Sequence, residues 1–236
     1  MYNTAHTMGI KVFFHICAIT RAEVVVKDMI RSIHFSGLYD DADGIYCYIT
    51  GEPETMKTVH ELLTTSGSKF RIMKFVPNDA SYERFTLEDI HNHVDGSDRI
   101  LYIHSKGVSY YHQDDPNRIK RIDDWRDLML YYLVRHWRAC IDRLEQCDTV
   151  GICFMRNGVN NEIMPHWCGN FWWSRGDYLL TLPTRIGKSY YDPEQGFLFV
   201  NNPRAYEMYP MPPINFYHER YEPYKYVDSR IGSTQN

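Results

Sequence analysis

The chain has 236 residues, of which 44% are hydrophobic and 24% charged, and its formal net charge is −4. This length suffices for one large domain or two small ones, and the composition is that of a globular protein rather than a disordered one. The charge balance gives no indication of nucleic-acid binding, and no apolar run approaches the ~20 residues that cross a bilayer. The six cysteines form no Cys-x-x-Cys pair, and the amino terminus lacks the pattern of a signal peptide. We therefore expect reduced thiols in a cytoplasmic protein without a transmembrane segment.

The first part of the chain alternates between predicted strands and helices. Apolar runs rich in β-branched and aromatic residues predict strands at 10–20, 44–51, 70–78 and 99–107. Apolar residues at helical spacing, with Gly or Pro near the ends, predict helices at 21–37, 52–67 and 82–94. This alternation is typical of an α/β domain whose parallel strands are joined by right-handed crossovers.

The second part of the chain is less regular. We predict a polar loop at 110–121, a long amphipathic helix at 123–147 with Asp123 or Asp124 as its N-cap, a fifth strand at 149–156, a strand and short helix at 168–182, a turn and short helix at 190–200, and packed coil from Asn201 onward. No internal repeat and no linker interrupts the chain, which favours a single domain with a functional divide near residue 121.

Three stretches carry a resemblance to a known family: ILYIHSKGV at 100–108, HWCGNFWWSRGDYLLTLP at 166–183, and YYDPEQGFLF at 190–199. Together they resemble short nucleotide-sugar-dependent glycosyltransferases of the GT-A architecture, notably those of large algal (chlorella-type) viruses and bacterial proteins of the rhamnan-synthesis type. The resemblance implies a single GT-A-like, Rossmann-related domain with a central, mostly parallel mixed sheet flanked by helices. It further implies that 10–120 form the nucleotide-binding half and 121–236 the acceptor-side half.

The activity that this resemblance implies is glycosyl transfer. A hexose or deoxyhexose would move from a nucleoside-diphosphate sugar to a sugar hydroxyl of a glycan or glycoprotein, in the host cytoplasm if the protein is viral. Two other functions stay open. One is a non-catalytic module on the same fold that binds a nucleotide sugar or a glycan. The other is a nucleotidyltransferase, which is disfavoured because CAITRAE after the first strand has no glycine to form a phosphate loop.

Several candidates for the nucleotide site follow the predicted strands, because an open α/β sheet binds ligands beyond the carboxyl ends of its strands. Thr20 and Arg21 follow the first strand, and Asn78 ends the third. Thr20 suits a helix cap equally well, and Asn78 suits a turn. Arg84, on the next helix, either offers paired donors to phosphate or is a solvated helix residue.

The sequence His104-Ser105-Lys106 stands at the end of the fourth strand, where metal-dependent GT-A enzymes carry Asp-x-Asp. Lys106 would neutralise the charge that develops on a diphosphate leaving group. His104 lies on the same strand face and is a phosphate donor, a metal ligand or a core histidine. A divalent metal, Mn²⁺ or Mg²⁺, is not implied by an acidic pair at this position, although Asp115 in the following loop stays open as a ligand.

The later motifs supply the acceptor-side and catalytic candidates. His166, Asn170 and Trp172 are candidates for sugar binding, although strand alternation lets only one of Trp172 and its neighbour Trp173 face a cleft. The resemblance implies a catalytic carboxylate on a late short helix. Asp192 and Glu194 are the candidates there, with Glu194 as general base, unless the two only begin the helix.

Overall fold

Nine strands and eight α-helices lie in the residues that a computed structural model describes: 8–77, 82–113, 115–156 and 164–227, with only the backbone of 112 and 113. The strands are β1 (Ile10–Ala18), β2 (Gly44–Gly51), β3 (Phe70–Pro77), β4 (Arg99–His104), β5 (Thr149–Ile152), β6 (Phe154–Met155), β7 (His166–Trp167), β8 (Trp172–Arg175) and β9 (Ala205–Tyr209). The helices are α1 (Ala22–Phe35), α2 (Leu38–Asp41), α3 (Pro53–Ser66), α4 (Arg84–Asp89), α5 (Pro116–Leu130), α6 (Trp137–Leu144), α7 (Gly176–Leu179) and α8 (Asp192–Gln195).

The central sheet has seven strands in the order β3-β2-β1-β4-β8-β5-β9. Strands β1 to β4 run parallel, β8 runs antiparallel to both β4 and β5, and β9 is parallel to β5. Strands β6 and β7 form a separate antiparallel pair. The predicted single α/β domain with a mostly parallel, mixed sheet is therefore confirmed.

Hydrophobic side chains cover both faces of this sheet in two clusters. Alternation along β1 sends Phe14 into the larger cluster and Phe13 into the smaller one. The same alternation along β8 separates Trp173 from Trp172, and both indoles are buried. Burial on both faces explains why β1, β2 and β4 read as nearly continuous apolar runs, whereas β3 at the sheet edge is largely exposed.

Helix α5 begins seven residues before the predicted start at Asp123, so the predicted loop at 110–121 is wrong in its second half. Asp115 is the N-cap, and its carboxylate accepts hydrogen bonds from the backbone N–H groups of Asn117 and Arg118. Pro116 occupies the first turn, where its missing N–H costs nothing. Because the first two turns of α5 are mostly polar, Asp115 and Pro116 were not recognised as the start of a helix.

Two further elements differ from the prediction. The strand predicted over 149–156 is divided at Cys153, whose φ of 53° interrupts the extended backbone between β5 and β6. The predicted coil after Asn201 contains β9, which pairs with β5 at the sheet edge. In the described part of the chain, no helix combines the length and apolarity needed to cross a membrane.

Candidate functional site

A cavity of about 500 Å³ opens at the carboxyl ends of β1, β2 and β4. It is lined by His15, Cys17, Ile19, Thr50, Gly51, Glu52, Tyr82, Glu83, His104, Ser105, Lys106, Gly107, Val108, Ser109, Tyr110, Tyr190 and Tyr217. Parallel strands end at this edge of the sheet, which is where open α/β sheets bind ligands. The cavity combines an ammonium group, two carboxylates and several aromatic rings.

Lys106 enters the cavity just beyond β4. Its Nζ lies 4.0 Å from the ring centroid of Trp125, an arrangement in which the indole face stabilises the ammonium charge. Arg126 donates a hydrogen bond of 3.0 Å to the Lys106 carbonyl, and Gly107 turns the chain at a φ of 90°. The backbone that carries the ammonium is thus held from α5.

His104, the last residue of β4, is held in one tautomer. Its Nε2 lies 2.9 Å from the carbonyl oxygen of Gly169, so Nε2 carries the proton and donates it. Burial, with a smaller contribution from Lys106, lowers the pKa of His104 to about 4. The ring is therefore neutral at pH 7, and its Nδ1 presents a lone pair.

Glu83 is fixed by two donors on one of its oxygens. The Tyr102 hydroxyl and the Asn170 side-chain amide each donate to Oε2 over 2.6 Å. Trp172 in turn donates through Nε1 to the Asn170 oxygen over 3.0 Å, which orients that amide. Burial, followed by the charge of Glu83, raises the pKa of Tyr102 well above its usual value, so this hydroxyl remains a donor.

Glu194, on α8, is not among the residues that line the cavity, and its side chain is 30% exposed. Its Oε1 accepts a hydrogen bond of 3.0 Å from the Gly169 backbone N–H. The Nε2 of His166 lies 4.0 Å from the same oxygen, while Nδ1 of that ring donates to the Met164 carbonyl. The carboxylate thus fixes the glycine whose carbonyl holds His104.

Tyrosine rings form the rim of the cavity. Tyr82 and Tyr190 meet edge to face with ring centroids 5.0 Å apart, and their exposed fractions are 48% and 65%. On another part of the rim, the ring centroids of Tyr110 and Tyr217 lie 6.4 Å apart, and Tyr217 also packs on Trp125. Exposed rings beside a cleft are suited to stacking against a base or a sugar face.

Arg84 and Asp192 support this rim instead of pointing into the cavity. Arg84 is buried and donates to the carbonyls of Gly187 and Ser189. Asp192 accepts a hydrogen bond of 2.7 Å from the Ser189 N–H. Both side chains therefore hold the segment that leads to Tyr190, and Arg84 is not a solvated helix residue.

The other sequence candidates either do not line the cavity or lie outside the described residues. Thr20 and Arg21 are exposed and do not line the cavity, and Arg21 occupies the N-cap position of α1 without a side-chain cap. Asn78 lies outside the described residues. Trp172 is 1% exposed and stacks on Tyr102, so it contributes to the site through Asn170.

Sequence reasoning missed Glu52 and Glu83, the two carboxylates in the lining. A signal for Glu83 did exist, because Tyr102 and His104 share one face of a buried strand. A buried tyrosine hydroxyl there needs an acceptor. The sequence does not show which residue supplies it, since Glu83 precedes a different element.

Metal ligands are not assembled in the described ranges, which contain no group of three or more His, Cys, Asp and Glu side chains suited to an ion. Asp115, which was open as a ligand, caps α5 instead. The question of a divalent metal is therefore one for experiment.

Comparisons with known proteins give a family and distant structural likenesses. No curated protein sequence matches the chain at a significant level. The chain is similar to the crystal structure of 4-diphosphocytidyl-2C-methyl-D-erythritolsynthase from Anaerococcus prevotii, with a TM-score of 0.44 and 8% identity, over 74% of this chain and 73% of that chain. A family model described as "Domain of unknown function (DUF8361)" matches residues 18–186, and the chain belongs to that family.

Proposed function

We propose that the protein is a glycosyltransferase that moves a hexose or deoxyhexose from a nucleoside-diphosphate sugar to a sugar hydroxyl of a glycan. One observation carries the proposal: the ammonium of Lys106 and the carboxylate of Glu83 line one cavity at the carboxyl ends of the parallel strands. Transfer from such a donor needs a positive charge for the diphosphate and a base for the attacking hydroxyl.

In this proposal the diphosphate lies against Lys106. The ammonium rests on Trp125 and so reaches the ligand from a preorganised position. The neutral ring of His104 beside it adds no charge at pH 7. Because leaving-group departure places negative charge on the diphosphate, a fixed cation there stabilises the transition state more than the bound donor.

The nucleoside occupies the side of the cavity formed by the ends of β1 and β2. Gly51 lies in this lining, where a Cβ would clash with the Ala18 carbonyl oxygen, so the glycine lets β2 end close to β1. The Glu52 carboxylate is an acceptor for ribose hydroxyls. The exposed rings of Tyr82 and Tyr190 supply a stacking surface at the rim. The sugar and its acceptor then lie toward Glu83, close to the segment that contains Asn170.

The experiment is a donor panel. Purified protein is incubated with UDP-, GDP- and dTDP-sugars and oligosaccharide acceptors, with Mn²⁺, with Mg²⁺ or with EDTA, and both nucleotide release and sugar transfer are followed. We expect transfer from at least one donor. Binding of a donor without release under every condition contradicts the proposal and supports a non-catalytic binding module, which the missing acidic pair at the end of β4 favours as the second function.

A lysine substitution tests the diphosphate assignment. We expect Lys106→Ala to weaken donor binding roughly 10- to 100-fold, because a hydrogen bond to a charged group contributes about 1.5–3 kcal/mol. Titration calorimetry with the nucleoside diphosphate measures the change. Lys27→Ala, on the exposed face of α1, is the matched control. Unchanged affinity in Lys106→Ala, together with loss of activity in EDTA, would assign charge neutralisation to a metal.

A further inference from the structure

We propose that Glu83, and not Glu194, is the general base that takes the proton from the acceptor hydroxyl. This inference rests on the proposed glycosyl transfer and names the site for its acceptor. It starts from the place of the two carboxylates, since Glu83 lines the cavity and Glu194 does not.

The two oxygens of Glu83 have different surroundings. Oε2 accepts hydrogen bonds from Tyr102 and Asn170. Oε1 lies 3.7 Å from Nδ1 of His104, too far for a hydrogen bond. Nδ1 carries no proton, because Nε2 donates to the Gly169 carbonyl and the ring is neutral. A carboxylate oxygen and a nitrogen lone pair therefore face each other, and both are acceptors.

Two acceptors in this arrangement leave a place for a donor between them. A water placed there can donate to both, whereas a sugar hydroxyl has one proton and donates it to Glu83 Oε1. The position lies beside Lys106, which follows His104 by two residues and affects its titration. A sugar hydroxyl between Glu83 and His104 is thus next to the place proposed for the diphosphate.

The chemical step balances without another reactant. The proton of the acceptor hydroxyl passes to Oε1 of Glu83, and the electron pair of that O–H bond forms the new bond to the anomeric carbon. The bond between the anomeric carbon and the diphosphate oxygen breaks, and its electrons leave with the diphosphate, whose charge Lys106 neutralises. Glu83 later releases the proton to water.

Glu194 has a positioning role in this scheme. Its Oε1 is occupied by the Gly169 N–H, and the carbonyl of the same glycine fixes the tautomer of His104. Removing the Glu194 charge changes the support of His104 but leaves the base in place. The two carboxylates therefore differ in the effect expected from the same substitution.

The test compares three Glu-to-Gln variants in steady-state transfer and in donor binding. In Glu83→Gln the remaining oxygen still accepts from Tyr102 and Asn170, and the new amide donates toward His104 Nδ1. We expect kcat to fall about 10²- to 10⁴-fold, the usual contribution of a general base, with the donor Kd within about 3-fold of wild type. Glu194→Gln should retain more activity than Glu83→Gln, and Glu54→Gln, on the exposed face of α3, should match wild type.

Several results overturn the inference. Near wild-type kcat in Glu83→Gln, or a larger loss in Glu194→Gln, assigns the base elsewhere while leaving glycosyl transfer intact. If wild type binds Mn²⁺ and Glu83→Gln does not, Glu83 Oε1 and His104 Nδ1 are part of a metal site. Absence of transfer by wild type contradicts the proposed function itself and the inference with it. If Glu83→Gln does not fold, Tyr102→Phe decides the question: a lower kcat at unchanged donor Kd supports Glu83 as the base, and an unchanged kcat overturns it.

Discussion

At the scale of single residues, the hydroxyl of Tyr102 fixes the orientation of Glu83. It donates to Glu83 Oε2 from a fully buried position, and its raised pKa keeps the proton on the tyrosine. The tyrosine is therefore a permanent donor, and one hydroxyl group holds the carboxylate of the proposed base in one orientation.

Tyr102→Phe removes this donor and little else. We expect kcat to fall about 10-fold with the donor Kd unchanged, because Glu83 Oε2 loses a donor that fixes the orientation of the base. Steady-state transfer and calorimetric donor binding measured at one pH check the change, and an unchanged kcat contradicts the role of Glu83.

Sequence reasoning located part of this site. Lys106 and His104 line the cavity, because a polar pair after an apolar strand marks the carboxyl end of that strand. Asn170 and Glu194 lie next to it. The sequence indicated them because they belong to the stretches at 166–183 and 190–199. Glu83 was not found, because its importance depends on tertiary contacts with Tyr102 and Asn170 that no local pattern encodes.

At the scale of elements, a buried arginine joins α4 to the segment before α8. Arg84 begins α4, and its guanidinium donates to the carbonyls of Gly187 and Ser189. Tyr82 and Tyr190 flank the two ends of this connection and meet edge to face. The pairing of two rim tyrosines that are distant in sequence thus depends on a side chain that is not part of the cavity lining.

Arg84→Met breaks this connection while keeping an unbranched apolar stem. The carbonyls of two exposed residues lose a charged donor, at about 1.5–3 kcal/mol, so we expect Tm to fall by about 3 to 10 °C. The donor KM should rise about 2- to 10-fold as the rim pair loosens, with kcat within about 3-fold. Arg185→Met is the matched control, because that guanidinium is exposed and pairs with Glu88. Equal effects in both variants would exclude the proposed connection.

Prediction at this scale succeeded where periodicity was strong. The strands β1 to β4 and the helices between them follow from apolar runs and spacing. The start of α5 was missed because its first turns are polar, and β9 was missed because a short edge strand among Pro and Tyr residues carries little pattern. Its pairing with β5 is a long-range contact that the local sequence does not specify.

At the scale of the whole molecule, His104 links stability to pH. Burial lowers its pKa from 6.5 to about 4 in the folded protein. Between these values the unfolded chain binds more protons, so the free energy of unfolding falls as pH falls from about 7 to about 4. The contribution is complete above the unfolded pKa. His136, whose pKa burial and Arg135 also lower, adds to the same trend.

His104→Gln separates the two histidines. We expect the free energy of unfolding of this variant to depend less on pH than that of wild type between pH 7 and pH 4.5, because His136 is present in both proteins and its contribution cancels. Urea unfolding followed by circular dichroism at three pH values gives the two curves. Parallel curves would show that the pKa of His104 is the same in the folded and unfolded states, which contradicts the lowered value.

The reversed direction of β8 has a consequence for how this family can diversify. Lys106 follows the carboxyl end of β4, whereas His166 and Asn170 precede the amino end of the antiparallel strand β8. The two halves of the site therefore come from chain segments of opposite polarity, separated by more than fifty residues. Changes before β8 can alter one half while β4 keeps its register, so in the proposed glycosyl transfer the preferences for acceptor and for donor would be free to evolve as separate traits.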